Sequence, residues 1–152
     1  MSLYLQTIFD KFELRVRKGY HYTEDDLWAN TEGDRIRIGV TDYRQRIGGD
    51  VAFVELMDQG SIVERQREIG TLETVKAAFS LPSPMSGRIE EVNLDLVERP
   101  ELINSDPYGE GWLATLKPSN LENELKMLMN DEEYFKLMLK KLETEHEKLE
   151  SR

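Results

Sequence analysis

The sequence predicts a mainly β protein: a flattened sandwich of two short antiparallel sheets closed like a barrel, with helical turns at one edge and C-terminal helices packed outside. Three observations carry this. Short apolar runs recur between glycine- and proline-rich turns. Arg35-Ile36-Arg37-Ile38-Gly39-Val40 alternates with period two. Helical spacing of leucines appears only after Pro118.

Residues 1–19 read as an N-terminal extension. Phe12 to Val16 alternates and suggests a short strand, while an amphipathic helix over 3–12 competes with it. Residues 20–118 form the β domain. His21 to Val40 reads as a hairpin turning at Glu32-Gly33-Asp34, with Ile36, Ile38 and Val40 inward and Arg35 and Arg37 outward. Thr41 starts one or two helical turns that end at Gly48-Gly49. Asp50 to Leu56 is a strand, Asp58-Gln59-Gly60-Ser61 a turn, and Ile62-Val63 a short strand. Glu68 to Val75 and Phe79 to Leu81 form a second hairpin, with Lys76 at its tip and Pro82 and Pro84 limiting further pairing. Arg88 to Val92 and Trp112 to Lys117 complete the strands, separated by a loop with one helical turn near Pro100-Glu101-Leu102. Residues 119–152 supply two helices. One is capped by Ser119 with Glu122 over 120–129, the other by Asn130 with Glu133 over 131–150. Tyr134, Leu137, Met138, Leu142 and Leu149 stripe the second helix, and the charged tail 143–152 is expected to fray.

Composition removes several function classes. The 152 residues carry a net charge of −10, which opposes binding to a phosphate backbone and argues against a nucleic-acid role. No apolar run is long enough to span a membrane, and the N-terminus lacks the basic and apolar regions of a secretory leader, so a cytoplasmic monomer is expected. Without cysteine there is no thiolate nucleophile or sulfur-ligated metal, and His21 and His146 stand far apart. Any redox or sulfur chemistry must therefore come from an added group.

An exposed lysine at a hairpin tip is ordinarily solubilising surface. Here its neighbours matter. Glu73-Thr74-Val75-Lys76-Ala77 resembles the lipoyl-attachment hairpin of the glycine cleavage system H protein family. Gly39-Val40-Thr41-Asp42-Tyr43, Gly49-Asp50-Val51-Ala52-Phe53-Val54-Glu55-Leu56, Pro84-Met85-Ser86-Gly87 and the run Asn104 to Leu113 resemble further stretches of that family, in its order and spacing. The resemblance implies a lipoyl-domain-type barrel-sandwich hybrid. It implies lipoate in amide linkage on Lys76, with Glu73 and Ala77 read by a lipoate ligase or lipoyl/octanoyl transferase. It also implies partnership with glycine decarboxylase, aminomethyltransferase and dihydrolipoamide dehydrogenase, and a carrier without catalysis of its own. Val75 and Ala77 flank Lys76 where biotin carriers usually have methionines, which favours lipoate.

The chain departs from the family at Asp26-Leu27-Trp28, where His-Glu-Trp is usual, at Arg44, Arg46 and Phe79, and in its longer lead-in. These departures motivate an alternative, an H-like lipoate-binding protein serving a heterodisulfide-reductase-like sulfur oxidation system. A lipoyl donor to other carriers is a further variant. From a different class, a hydrolase using paired carboxylates competes, but 30 acidic residues supply accidental pairs and none is distinguished.

Overall fold

The computed structural model describes residues 2–150, and side chains through Glu145. The leading strands β1 (Tyr4–Phe9) and β2 (Phe12–Arg17) form a two-stranded antiparallel hairpin. The strand expected over 12–16 is present, and the competing helix over 3–12 is not. Asp10 and Lys11 both take positive φ, at 46° and 73°, which turns the chain back so that Phe9 pairs with Phe12.

Eight of the strands form two larger antiparallel sheets with β6 (Val51–Leu56), counted in order as follows. β3 (His21–Tyr22), β4 (Leu27–Glu32), β5 (Arg35–Val40), β11 (Ala114–Pro118), β10 (Gly87–Val92) and β7 (Ile62–Val63) make a six-stranded sheet in that spatial order. β6, β8 (Glu68–Thr74) and β9 (Ala78–Pro82) make a three-stranded one. The first core fills the space between them. Leu27, Ile36, Ile38, Val40, Ile89 and Leu116 from one sheet meet Ile69, Leu72 and Leu81 from the other. Neither ladder closes on itself: the larger sheet ends at β3 and β7, so the barrel-like enclosure is made by packing rather than by a continuous ring of hydrogen bonds.

The larger sheet also buries its opposite face. Trp28 joins Leu14, Val16, Tyr22, Tyr43, Tyr108, Tyr134 and Met138 in a second core, covered by the N-terminal hairpin and the last helix. Leu27 and Ala29 point into the first core while Trp28 points into the second, which is why three consecutive residues are buried. Gly39 makes room for this. It pairs with Trp28 across the strand, and a Cβ there would lie 2.5 Å from the indole. The indole Nε1 donates to Pro107 O at 3.0 Å.

Helix α1 (Asp42–Gly48) begins at Thr41, whose Oγ1 accepts from Arg44 N at 3.2 Å, and stops at Gly49 with φ +88°. Two short helices, α2 (Asp95–Glu98) and α3 (Leu102–Ser105), occupy the segment expected to hold a single helical turn. Asn93 organises the first of them: its Oδ1 accepts from Asp95 N while its Nδ2 donates to Glu110 O and Trp112 O.

The expected cap at Ser119 is replaced. Helix α4 (Leu121–Leu125) starts at Asn120 and is shorter than the 120–129 helix read from the leucines. Ser119 N is spent on Ser86 O, and the Glu124 carboxylate accepts from Ser86 N and Oγ, so the segment is tied to the sheet instead. The cap of α5 (Asp131–Glu150) forms as expected: Asn130 N donates to Glu133 Oε1 and Glu133 N to Asn130 Oδ1. Tyr134, Met138 and Leu142 are buried along its stripe; the Leu149 side chain, residues 151–152 and so the end of the charged tail lie outside the described residues.

One departure from the family pattern has a structural partner. Asp26 is 5% exposed and accepts from Lys141 Nζ at 2.9 Å and from Tyr134 OH at 2.8 Å, which fastens α5 to the turn before β4.

Candidate functional site

Lys76 stands on the three-residue tip, 75–77, that joins β8 to β9. The local sequence holds this tip closely. Thr74, buried at the last position of β8, accepts through Oγ1 from Lys76 N at 3.1 Å and from Ala77 N at 3.2 Å. Its own N–H donates to Ala77 O at 2.8 Å, and Val75 N donates to Asp50 O at 3.1 Å. A side-chain hydroxyl thus does the work of a turn carbonyl. Ala77 contributes backbone groups to the tip as well as a small side chain.

Beneath the tip lies the end of α1. The Lys76 methylenes run over Gly49: a Cβ on that glycine would be 3.4 Å from Lys76 Cδ and Cε. Lys76 Nζ is exposed, 3.5 Å from Ile47 O. Asn104 braces this platform. Its Nδ2 donates to Gly49 O at 3.0 Å and to Gln45 Oε1 at 3.2 Å, and its Oδ1 accepts from Val51 N at 2.9 Å. Gln45, Arg46, Gly49, Asp50, Glu101 and Asn104 line a cleft of about 360 Å³ on that side.

The departures Arg44, Arg46 and Phe79 fall together here. The Arg44 guanidinium lies 4.1 Å over the Phe79 ring, and that of Arg46 lies 4.3 Å over Phe12. Helix α1 therefore leans on the Lys76 hairpin with one side and on the N-terminal hairpin with the other. Tyr43 on the same helix has its phenol pushed up to about 12, chiefly by burial and then by the carboxylates of Asp26 and Glu145, so it remains neutral.

Glu73 sits on β8 with its side chain exposed, directly across from Ala78 on β9 and Phe53 on β6. It does not meet Lys76, and among the described residues it takes part in no ion pair. The residues that sequence reasoning missed are Thr74, Gly49 and Asn104. Thr74 was legible only as strand composition; Asn104 lies in a run of turn formers, and nothing in its type separates a brace from a loop residue. His21 lies on β3 of the six-stranded sheet rather than on the sheet that carries the tip, and no group of three or more His, Asp or Glu residues among those described is arranged to hold a metal.

The site offers one exposed primary amine on a pinned tip, with small side chains at Ala77 and Ala78 beside it. No helix among the described residues is long and apolar enough to cross a membrane.

A model of the family described as glycine cleavage H-protein matches residues 20–141. The chain is 45% identical over 127 residues to the probable glycine cleavage system H protein of Thermococcus gammatolerans, covering 83% of this chain and 94% of the relative. It is 44% identical over 119 residues to the glycine cleavage system H protein of Thermus thermophilus, covering 78% and 92%. Among solved structures it matches a glycine cleavage system H protein from Mycobacterium marinum with a TM-score of 0.71 and 33% identity, covering 78% of this chain and 95% of that one. The chain belongs to the glycine cleavage H-protein family.

Proposed function

We propose that this protein is the lipoyl carrier of a glycine cleavage system, with lipoate held in amide linkage on Lys76. The observation that carries this reading is the exposed Lys76 amine on a tip fixed by Thr74. The site fits the group: Ala77 and Ala78 leave the amine unobstructed, and Gly49 leaves the methylenes a smooth support. The names of the relatives favour glycine cleavage over sulfur carriage.

Attachment needs an activated acyl donor such as lipoyl adenylate, formed by a lipoate ligase from ATP and lipoate. The neutral Lys76 Nζ attacks the acyl carbon, the N–C amide bond forms, the bond to AMP breaks, and the displaced proton passes to solvent. Once attached, the lipoyl disulfide supplies the acceptor for the aminomethyl group and electrons of glycine decarboxylation. This chain's own part is to present the arm in turn to glycine decarboxylase, aminomethyltransferase and dihydrolipoamide dehydrogenase. It performs no catalysis itself. Its contribution is the fixed position of the tip, which presents the carried group at one defined point to each enzyme that docks. We place it in the cytoplasm as a monomer.

The test is intact mass with tryptic mapping on protein from its native host. A lipoyl adduct on Lys76, absent from Lys76→Arg, is the expected result. An unmodified Lys76 in cells that lipoylate their other carriers overturns the reading.

A further inference from the structure

A two-stranded hairpin has two outer edges, and the fold treats those of the N-terminal hairpin differently. Lys18 N donates to Leu3 O at 2.9 Å, so the odd-numbered residues of β1 form the hydrogen-bonded pairs with β2. The N–H and C=O groups of Tyr4, Gln6 and Ile8, and of Glu13, Arg15 and Arg17 across from them, therefore point away from the ladder. On β2 the body of the protein takes them up. Arg15 N donates to Asp42 Oδ2, Tyr108 OH donates to Arg15 O, and Tyr22 OH donates to Arg17 O. On β1 only Tyr4 is served. Its N–H donates to Ser2 Oγ at 3.1 Å, and its carbonyl accepts from the same hydroxyl at 3.0 Å. Among the described residues nothing bonds the outward groups of Gln6 and Ile8.

The other strand edges are managed. β3 is bridged to Met129, and β7 has only two residues. β6 is irregular between Val51 and Phe53 and carries Glu55, while β9 stops at Pro82 and has Arg44 of α1 over its Phe79. By contrast β1 keeps a regular register over six residues, with no charge, proline or glycine in Tyr4-Leu5-Gln6-Thr7-Ile8-Phe9. An edge in this state is a template for another strand.

The neighbouring side chains specify what that strand carries. Gln6 and Ile8 share a face with their cross-strand partners Arg15 and Glu13, and Ile8 is 78% exposed. The guanidiniums of Arg15 and Arg17 lie 4.6 and 5.4 Å over the Tyr4 ring, and neither joins an ion pair among the described residues. A second copy of the chain suits the edge poorly. Antiparallel pairing about Gln6 would set Tyr4 against Ile8 and need the Tyr4 groups that Ser2 holds, and it would join two chains of net charge −10.

We propose that the outer edge of β1 takes a third strand from a partner chain: an extended antiparallel segment with an apolar residue opposite Ile8 and, two residues later, an Asp or Glu opposite Gln6 on the side of Arg15. Main-chain bonds to Gln6 and Ile8 hold the segment, and the two side chains select it. This site is separate from the Lys76 tip and does not rest on its acylation.

The experiment titrates the full chain with the peptide acetyl-Thr-Val-Thr-Glu-Thr-Thr-amide and follows backbone amides by NMR. Saturable binding with a Kd of about 0.1–1 mM is expected, with slowed amide exchange at Gln6 and Ile8. Ile8→Pro deletes an N–H that the hairpin ladder does not use, and is expected to raise Kd about tenfold. The same peptide N-methylated at its valine should lose binding equally. Arg15→Gln is expected to weaken binding about threefold and to remove most of its salt dependence. Unchanged exchange at Leu5 and Thr7 shows that the hairpin is intact; should Ile8→Pro disrupt it, the N-methylated peptide carries the test. Equal binding of the N-methylated peptide overturns the proposal, as does binding that leaves Gln6 and Ile8 unprotected, or no binding up to about 5 mM. Protection of Gln6 and Ile8 that grows with protein concentration in the absence of peptide also overturns it, by giving the edge to a second copy.

Discussion

Lys76 rests its aliphatic chain on the bare Cα of Gly49, at a residue whose φ of +88° and ψ of −173° belong almost exclusively to glycine. The backbone thus ends α1 at the same residue over which the Lys76 methylenes pack. Gly49→Ala is expected to cost about 1–3 kcal/mol through backbone strain alone, since the added Cβ would meet the Lys76 methylenes at ordinary contact distance. Gly48→Ala, one residue earlier and inside the helix, meets nothing closer than 3.7 Å and is expected to be neutral or slightly stabilising. Chemical denaturation of the two variants checks the contrast.

Thr74 is the residue whose loss should loosen the tip without touching Lys76. Thr74→Val keeps the shape and removes the acceptor shared by Lys76 N and Ala77 N. The expected outcome is a stability loss of about 1 kcal/mol, the net worth of such bonds. Faster amide exchange at 76 and 77 should accompany it, and Thr74→Ser should restore protection.

Lys141 holds the nearly buried carboxylate of Asp26. Lys141→Met is expected to destabilise by about 2–3 kcal/mol, below the full cost of orphaning a buried charge because the Lys141 side chain is 28% exposed. Asp26 has φ +67°, a conformation that asparagine tolerates, so Asp26→Asn is a fair partner for a double-mutant cycle. The double variant should recover part of the loss. Exchange protection along α5 reports the same anchor.

Burial lowers the pKa of His21 below its ordinary 6.5, with the Asp131 carboxylate opposing the shift. The folded state then binds fewer protons at this site than the unfolded one. The imidazole is neutral in both states above about pH 6.5, and its contribution to stability falls as pH drops from there through the folded pKa. His21→Gln should therefore gain on wild type as pH is lowered through that window and show a constant difference above it. Paired melting curves from pH 8 to about pH 5 measure this.

The hairpin carrying Lys76 was legible because both its strands have strand-like composition, because prolines limit the second, and because five segments resemble one family in order. Trp28 shows what was not legible. Read as one residue of a single hairpin strand, it instead faces a second core assembled from residues as distant as Leu14 and Tyr134. No local pattern reports such a partner. The same holds for the N-terminal hairpin, whose Arg15 N reaches Asp42 Oδ2 at 2.9 Å across 27 residues. At the site the resemblance pointed to Glu73, Lys76 and Ala77, but the supports needed coordinates: Asn104 reaches Val51 N and Gly49 O from far along the chain, and Thr74, whose partners are close by, reads in sequence only as strand composition. The Ser119–Glu122 cap failed because the Ser119 N–H that Glu122 was expected to bond is donated to Ser86 O instead.

The ties from Thr74 to Lys76 and Ala77, and from Val75 to Asp50, leave the tip without a hinge. All travel of a carried group must then come from torsions beyond the Lys76 Cα. The search volume is a sphere of constant radius centred on a stationary point, and the local concentration seen by a docked enzyme is set by arm length alone. Loosening the tip would enlarge that sphere and dilute the cargo at every stop, so a rigid pivot is itself a kinetic asset for a group that must visit several enzymes in turn.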